Sequence, residues 1–354
     1  MIMIANSVVD SHSGEDESLY GALDRRNIRT VSFGEFTFDT WYGNSVYFAA
    51  NKPDMLGFKH VNEKLPAKKT SAKEVSEFLK THEYWLDTLY VCPTCFKYTD
   101  SENSLAVHSK VCSYKSKLPG KLMYRDKAYS IRKVKGARHP VYCQCMCLFA
   151  KLFLDNKSVF FGLEYFDFFV VYGDVKGQQV PMGFFSKELL SWDGNNLACI
   201  LVFPPFQRRK LGHLLIAFSY ELSKSEGKVS GPEHPLSPFG KIGYVTFWAK
   251  TLARELLVGE LSTVKDTTLE IISKTTGFRS DDIIMALDFM GALYTKGKKE
   301  QYLDYYPLPS EEGFIKVVDD NFKLLIVKEK IREWTISKKL TYTPVINVKN
   351  LLLY

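Results

Sequence analysis

The chain contains no apolar run of 18 residues, which leaves no candidate for a transmembrane helix. Its first residues lack a basic stretch followed by a clean apolar one, so no secretory signal is expected. Internal repeats and low-complexity blocks are absent too, which argues against solenoids and fibrous assemblies. Charge of one sign is in only mild excess. A net +7 suits an acidic partner but is too weak to specify nucleic acid. Cysteine is scarce. Seven is an odd number, and several are spaced for a metal or a buried core, so a reducing intracellular compartment fits better than a disulfide framework. What is present is ordinary globular material: 354 residues, 45% hydrophobic and 25% charged, enough for one large domain or two to three smaller ones. The 25 Phe and 20 Tyr favour strands and packed aromatic layers.

Residues 1–26 carry five acids and little apolar periodicity, and read as a disordered tail. VSFGEFTFDTWY from Val31 alternates as a strand or hairpin would. Ser71 could cap a short helix over 72–85. Short strands are expected around 121–134, a helix over 143–155, and aromatic strands at 158–172 and 180–187. Leu197–Phe203 reads as a buried strand and Leu211–Glu226 as a helix with Leu214, Leu215, Phe218 and Leu222 on one face. Phe239–Val258 reads as a second helix, with Gly259 as its C-cap. Residues 263–305 read helix, Gly277 turn, helix, β wing.

Cys92, Cys95, His108 and Cys112 have the Cys-x2-Cys-x12-His-x3-Cys spacing of a tetrahedral structural zinc site. Four protein ligands leave no open position, so the metal should be structural. The helix between them begins Ser101, Glu102 and Asn103, a poor start for a DNA reader. Cys143, Cys145 and Cys147 point to different sides of a helix and read as packing residues rather than a second metal site.

LACILVFPPFQRRKLGHLLIAFSYELS (197–223) is the most informative stretch. A strand, a basic turn and a helix N-terminus meet at one point, which forms a binding site for a polyphosphate. GPEHPLSPFG (231–240) then fixes one carboxylate, Glu233, in a Gly- and Pro-rich loop. Cradle plus carboxylate suggests group transfer from a phosphate-bearing carrier such as coenzyme A.

The zinc spacing, CLFAKLFLDNK, ACILVFPPFQRRKLG, FSYELSK and GPEHPLSPFG together resemble the MYST family of histone acetyltransferases, over roughly residues 27–305. The resemblance implies an α+β fold: a GNAT-like acetyl-CoA-binding core at 191–260, a 27–190 N-terminal β region with the C2HC zinc finger at 90–112, and a 261–354 C-terminal winged-helix-like region. It implies that the backbone of Ile200, Leu201 and Val202 pairs with the pantetheine arm. Gln207, Arg208, Arg209, Lys210, Leu211, Gly212 and His213 would wrap the pyrophosphate. Ser237, Thr246 and Lys338 match other coenzyme A positions. One departure is Lys210, where the family has glycine: lysine resists a positive φ but adds charge near the phosphates.

A lysine ammonium cannot attack a thioester, so a base must take its proton. Glu233 is the candidate, with partial burial expected to raise its pKa. The backbone N–H of Cys199 or Ile200 would stabilise the oxyanion. Cys199 also permits a two-step route through an acetylated thiol, but direct transfer is preferred because no adjacent histidine activates it. Lys151 aligns with an autoacetylated lysine of relatives, and sits in an apolar segment where neutralisation relieves a burial cost.

As a DNA reader the second C-terminal helix would present Asp281, Asp282 and Asp288 to phosphate, so packing is the preferred role for that module. The resemblance implies a nuclear enzyme of chromatin silencing, acting on the tail of core histone four. The chain carries no reader module, so partner subunits are expected to supply targeting. No membrane partner is expected. The alternative is a non-enzymatic zinc-finger scaffold, binding chromatin or nucleic acid, with a degenerate cofactor site.

Overall fold

The computed structural model describes residues 22–23, 25–48, 56, 86–154, 161–295, 313–319 and 322–353. Residues 1–21 and the expected 72–85 helix lie outside them. Ala22–Leu23 (β1), within the stretch read as a tail, instead pairs antiparallel with Gly43–Asn44 (β4). The hairpin from Val31 is Ile28–Phe33 (β2) and Phe36–Asp39 (β3), turned at Gly34 with φ +65°. Leu86–Val91 (β5) runs parallel to β2 and pairs with Tyr98–Thr99 (β6), and Glu102–Val111 (α1) follows.

The central sheet has the order β11-β10-β9-β8-β7. Its strands are Lys121–Arg125 (β7), Tyr129–Lys135 (β8), Phe166–Val175 (β9), Gln178–Glu188 (β10) and Cys199–Val202 (β11). β9 starts at Phe166, later than expected: Leu163–Tyr165 form a 3-10 turn, and residues 158–160 are not described. The turn after it is at Lys176–Gly177, both with positive φ, so β9 extends through Gly173. β9 and β10 are almost continuously apolar because both their faces are covered. Phe169 stacks on Phe185 at 4.7 Å and meets Phe218 of Leu211–Ser225 (α3) on one side. Phe184 meets Phe203 on the other.

Phe203 joins Phe33, Phe96 and Phe149 in one aromatic layer, with centroids 5.0–6.1 Å apart. Phe149 belongs to Pro140–Lys151 (α2), which starts three residues earlier than expected because Pro140 suits a first helical turn. Cys143 and Cys147 of α2 are buried in the core, and no metal cluster forms around them among the described residues.

Pro238–Leu257 (α4) buries Tyr244, Trp248, Leu252 and Leu256. The Trp248 indole N–H donates to Tyr220 Oη at 2.8 Å. Gly259 is not a left-handed cap. It is glycine because an added Cβ would lie 2.8 Å from the Glu255 Cα. The C-terminal module holds Leu269–Thr276 (α5), the Gly277 turn at φ +81° and Ser280–Phe289 (α6). A sheet of order β12-β14-β15-β13 accompanies them, followed by Lys328–Ser337 (α7). Its strands are Asp266–Thr267 (β12), Leu293–Thr295 (β13), Phe314–Asp319 (β14) and Phe322–Val327 (β15).

Asp282 is buried at the start of α6, with Oδ2 lacking a hydrogen-bond partner. Burial raises its pKa to about 6, above an unfolded value of about 3.9. The folded state therefore holds the proton more tightly, and stability falls as pH rises from about 4 through 6. Asp282→Asn is expected to be more stable than wild type at pH 7.5 by about 2 kcal/mol. The gap should close near pH 4, and urea melts at the two pH values measure it.

Candidate functional site

The four metal-ligand candidates converge. Their ligand atoms lie within 4.8 Å of one another, with Cys92 Sγ 4.0 Å from Cys112 Sγ and Cys95 Sγ 3.2 Å from His108 Nε2. Tetrahedral zinc with 2.3 Å bonds to sulfur needs ligand atoms about 3.8 Å apart. The donor set and spacing therefore fit zinc. Local structure explains the convergence. Phe96, at φ +63°, closes the turn between β5 and β6 that carries the cysteine pair. The Ser101 hydroxyl caps α1, which carries His108 and ends at Cys112.

The basic turn expected to cradle a polyphosphate follows β11. That strand lies at the edge of the central sheet and pairs with β10 on one side, Leu201 opposite Phe184 and Val202 opposite Gly183. The strand is shorter than the expected 197–203. Gln207 does not point into the cradle: its Nε2 donates to Val202 O at 3.0 Å, tying the basic turn to the strand. Arg209 stacks over Phe206, its guanidinium carbon 5.5 Å from the ring centroid. Arg208 and Lys210 are exposed, and both have positive φ, +63° and +62°. Lys210 is the N-cap of α3 in the left-handed conformation that glycine adopts freely. Leu211 is buried beneath it.

Lys210→Gly should therefore stabilise the ligand-free chain by about 1 kcal/mol by removing left-handed strain, whereas Lys210→Ala should not. Equilibrium denaturation of the two variants distinguishes these outcomes. Gly212 lies one residue into α3 and leaves space, since an added Cβ would touch only Val202 at 3.9 Å.

His213 is half-buried near Phe247 of α4. Burial, then Lys250 and Lys210, push its pKa down. Lys250, which sequence reasoning missed, is close enough to Lys210 to be lowered by it as well as by burial. Its only sequence signal was its place one turn beyond the half-buried Thr246 on α4. The Ser237 hydroxyl caps α4 by accepting from Gly240 N. Lys338 sits exposed at the C-terminal end of α7, and no described contact brings it to the cradle.

The Glu233 loop is held by main chain. Asn196 N donates to Gly231 O at 2.9 Å, Leu197 bridges to Pro232 in parallel, and Glu233 N donates to Leu197 O at 2.8 Å. The loop thus runs beside the residues that lead into β11. Arg279 of the C-terminal module reaches across it, with Nη1 to Pro232 O at 3.3 Å and Nη2 to Asp193 O and Asn195 Oδ1 at 2.9 and 2.7 Å. A Cβ on Gly231 would lie 2.8 Å from Asp282 Oδ2, so any larger residue here would push the Asp282 side chain aside.

Glu233 itself is exposed, which corrects the expected partial burial. Gly, Pro and main-chain pairing fix the loop without covering the side chain. Burial first, and then the Glu233 charge, raise the Cys199 pKa to about 12, so the carboxylate lies near that thiol. The Cys199 N–H donates to Ser186 Oγ at 3.2 Å, which leaves Ile200 as the better of the two oxyanion donors. Lys151 is buried, and its pKa is lowered by burial against the opposing pull of Cys147 and Cys199.

A mixed α/β chain that sets a basic helix start beside such a loop, apart from a Cys/His cluster, has the layout of an acetyltransferase. Residues 117–337 match the MOZ/SAS family, and the chain belongs to it. The chain is 46% identical over 280 residues to Histone acetyltransferase SAS2 of Saccharomyces cerevisiae, covering 79% of each chain. It is 42% identical over 212 residues to Histone acetyltransferase MOF of Drosophila melanogaster, covering 60% of this chain and 25% of that one. With Histone acetyltransferase mst2 of Schizosaccharomyces pombe it shares 40% identity over 216 residues, 61% of this chain and 52% of the relative.

Proposed function

We propose that this chain transfers an acetyl group from acetyl-CoA to a lysine of a histone tail, with Glu233 as general base. The observation that carries the reading is the main-chain pairing of Glu233 N to Leu197 O, which keeps the carboxylate loop beside the entry to β11. The edge of β11 takes the pantetheine arm, as an added strand would. Arg208, Lys210 and the α3 N-terminus take the pyrophosphate, with Lys250 adding charge from α4. Glu233 accepts a proton from the lysine ammonium. The free amine attacks the thioester carbonyl, and the Ile200 N–H stabilises the oxygen that gains charge. Collapse breaks the carbon–sulfur bond, the second proton lost by the attacking nitrogen passes to the departing sulfur, and coenzyme A leaves as the thiol. Bound substrates would cover the exposed carboxylate and exclude water.

Direct transfer is favoured over an acetylated thiol because Cys199, with its pKa raised to about 12, is a neutral thiol near pH 7. Cys199 then shapes the acetyl pocket. Zinc on Cys92, Cys95, His108 and Cys112 would supply structural cross-linking, with no role in the chemistry. The winged-helix-like C-terminal module braces the Glu233 loop through Arg279. Lys151 is an acetylation site, since burial penalises its charge.

The names of the relatives support a histone substrate and a nuclear location. The tail of core histone four, a role in silencing and dependence on partner subunits complete the reading. Labelled acetyl-CoA offered with defined histone-tail peptides, with and without partner subunits, tests it. Label on the histone-four tail lysines is the expected result. Acetyl-CoA binding without transfer to any tail under either condition would instead favour the non-enzymatic scaffold.

A further inference from the structure

Positive charge is not spread evenly along this chain. Residues 103–140 hold ten Lys and Arg against Asp126 alone, a net of +9, so the rest of the chain is net −2 beneath the overall +7. The structure gathers this segment around one open groove of about 1080 Å³. Its walls are the 3-10 turn Ser113–Lys115, the β7–β8 hairpin and the entry to α2. The groove is separate from the acetyl-transfer site: β11 lies at one edge of the central sheet, β7 and β8 at the other.

The walls are rigid and the charges stand on them. Arg132 builds the floor by donating to Pro119 O and Gly120 O at 2.9 and 2.6 Å. Lys133 is held by Asp167 at 2.6 Å. Lys117, Lys121, Lys135 and Arg138 also line the groove, are exposed, and make no ion pair with any described residue. Backbone pairing of Leu352 N to Met123 O lays the last described residues along β7, so the charged wall is fixed at both ends.

We infer that this groove binds the phosphate backbone of duplex DNA. Three features favour phosphodiester over an acidic protein. Protein interfaces are anchored by buried aromatic and apolar residues. Here the apolar lining residues Leu118, Met123 and Leu353 are covered or half-covered, so no anchor is offered. Backbone contacts to DNA need only Lys, Arg and hydroxyl donors, which the groove supplies with its exposed Lys and Arg side chains and the Ser113 hydroxyl. The entry to α2 reaches the groove only with Arg138 and the N-cap His139, and no residue from within an α-helix lines it to read bases, so the binding is independent of sequence.

The geometry also connects to the reaction. Four strand spacings separate the two edges of the sheet, roughly 19 Å. An extended tail covers that span in about six residues. DNA in the groove would thus tether a nucleosome so that a tail emerging nearby reaches Glu233.

The test is fluorescence anisotropy with a labelled 20-base-pair duplex, using the full chain and a variant carrying Lys117→Glu, Lys121→Glu, Lys135→Glu and Arg138→Glu. Wild type should bind two duplexes of unrelated sequence alike. Four phosphate contacts predict a slope of log K on log salt of about −3.6, and each lost contact should reduce it by about 1. The variant should lose at least tenfold in affinity while acetylating a free histone-tail peptide at the wild-type rate. Its rate on nucleosomes should fall. A milder Lys→Gln and Arg→Gln version with an unchanged melting temperature guards against misfolding and should lose affinity in the same direction. Wild-type duplex affinity in both variants would overturn the proposal. So would tighter, salt-insensitive binding of a polyglutamate peptide that displaces the duplex, which would reassign the groove to an acidic protein. Because peptide acetylation is read separately, failure of the Glu233 reading would appear in that arm and leave the DNA result interpretable.

Discussion

Glu233→Gln is expected to lower kcat by about 10²–10⁴-fold, the range for loss of a positioned general base. Its affinity for acetyl-CoA should remain that of wild type. The substitution keeps the main-chain bonds that hold the loop, Asn196 N to Gly231 O and Glu233 N to Leu197 O. On the proposed mechanism, what is lost is the oxygen that accepts the lysine proton. Cys199→Ser is the paired experiment. With its pKa raised to about 12, the Cys199 thiol carries almost no thiolate near neutrality, so turnover in the serine variant should stay within a few-fold of wild type. Single-turnover rates and calorimetric acetyl-CoA binding measure both variants. An inactive Cys199→Ser chain with intact acetyl-CoA binding would establish the thiol route instead, and mass spectrometry would then find acetyl on Cys199.

If the Cys/His cluster holds zinc as proposed, a chelator should unfold the N-terminal region. Structural zinc in small modules contributes on the order of 10 kcal/mol, comparable to the whole stability of a domain. Cys112→Ser, or a strong chelator, should therefore cause loss of near-ultraviolet circular dichroism and a large drop in melting temperature. The effect should reach the reaction, although the metal is remote from it. Phe96 follows Cys95 of the Cys/His cluster and packs on Phe149 and Phe203, and Phe203 immediately follows β11. Loss of acetyl transfer together with the structural signal is the expected result. One equivalent of zinc by atomic emission, with none in the variant, completes the test. A metal-free chain that melts at the wild-type temperature would show that the Cys/His cluster holds no structural ion.

Much of the site was legible because its signals are local. The Cys/His spacing, the strand–turn–helix at 197–223 and the Gly/Pro loop at 231–240 depend on residues close in sequence. What could not be read depends on distant partners. Ser186 lies 13 residues before Cys199 and takes its N–H, which only the β10–β11 register reveals. Gln207 resembles a cofactor ligand until its amide is seen on Val202 O. Lys250 joins the basic cluster only through the packing of α4 beside α3. Asp282 looked like a solvent-facing repellent of DNA, whereas the approach of α6 to Gly231 buries it. Element ends also moved. β9 begins after a 3-10 turn that aromatic content alone does not reveal, and α2 begins at Pro140, where proline is tolerated.

The Arg279 guanidinium has a thermodynamic consequence. It joins α6 to Pro232, Asp193 and Asn195 at once, so the order of the Glu233 loop is coupled to the folding of the α5–α6 hairpin. Such coupling is reciprocal. A substrate that orders residues 231–233 must stabilise the hairpin to the same extent, and a protein that grips the hairpin must raise affinity for that substrate. On the proposed role of Glu233, a protein that grips the C-terminal module would tune acetyl transfer from a distance, without touching the acetyl group.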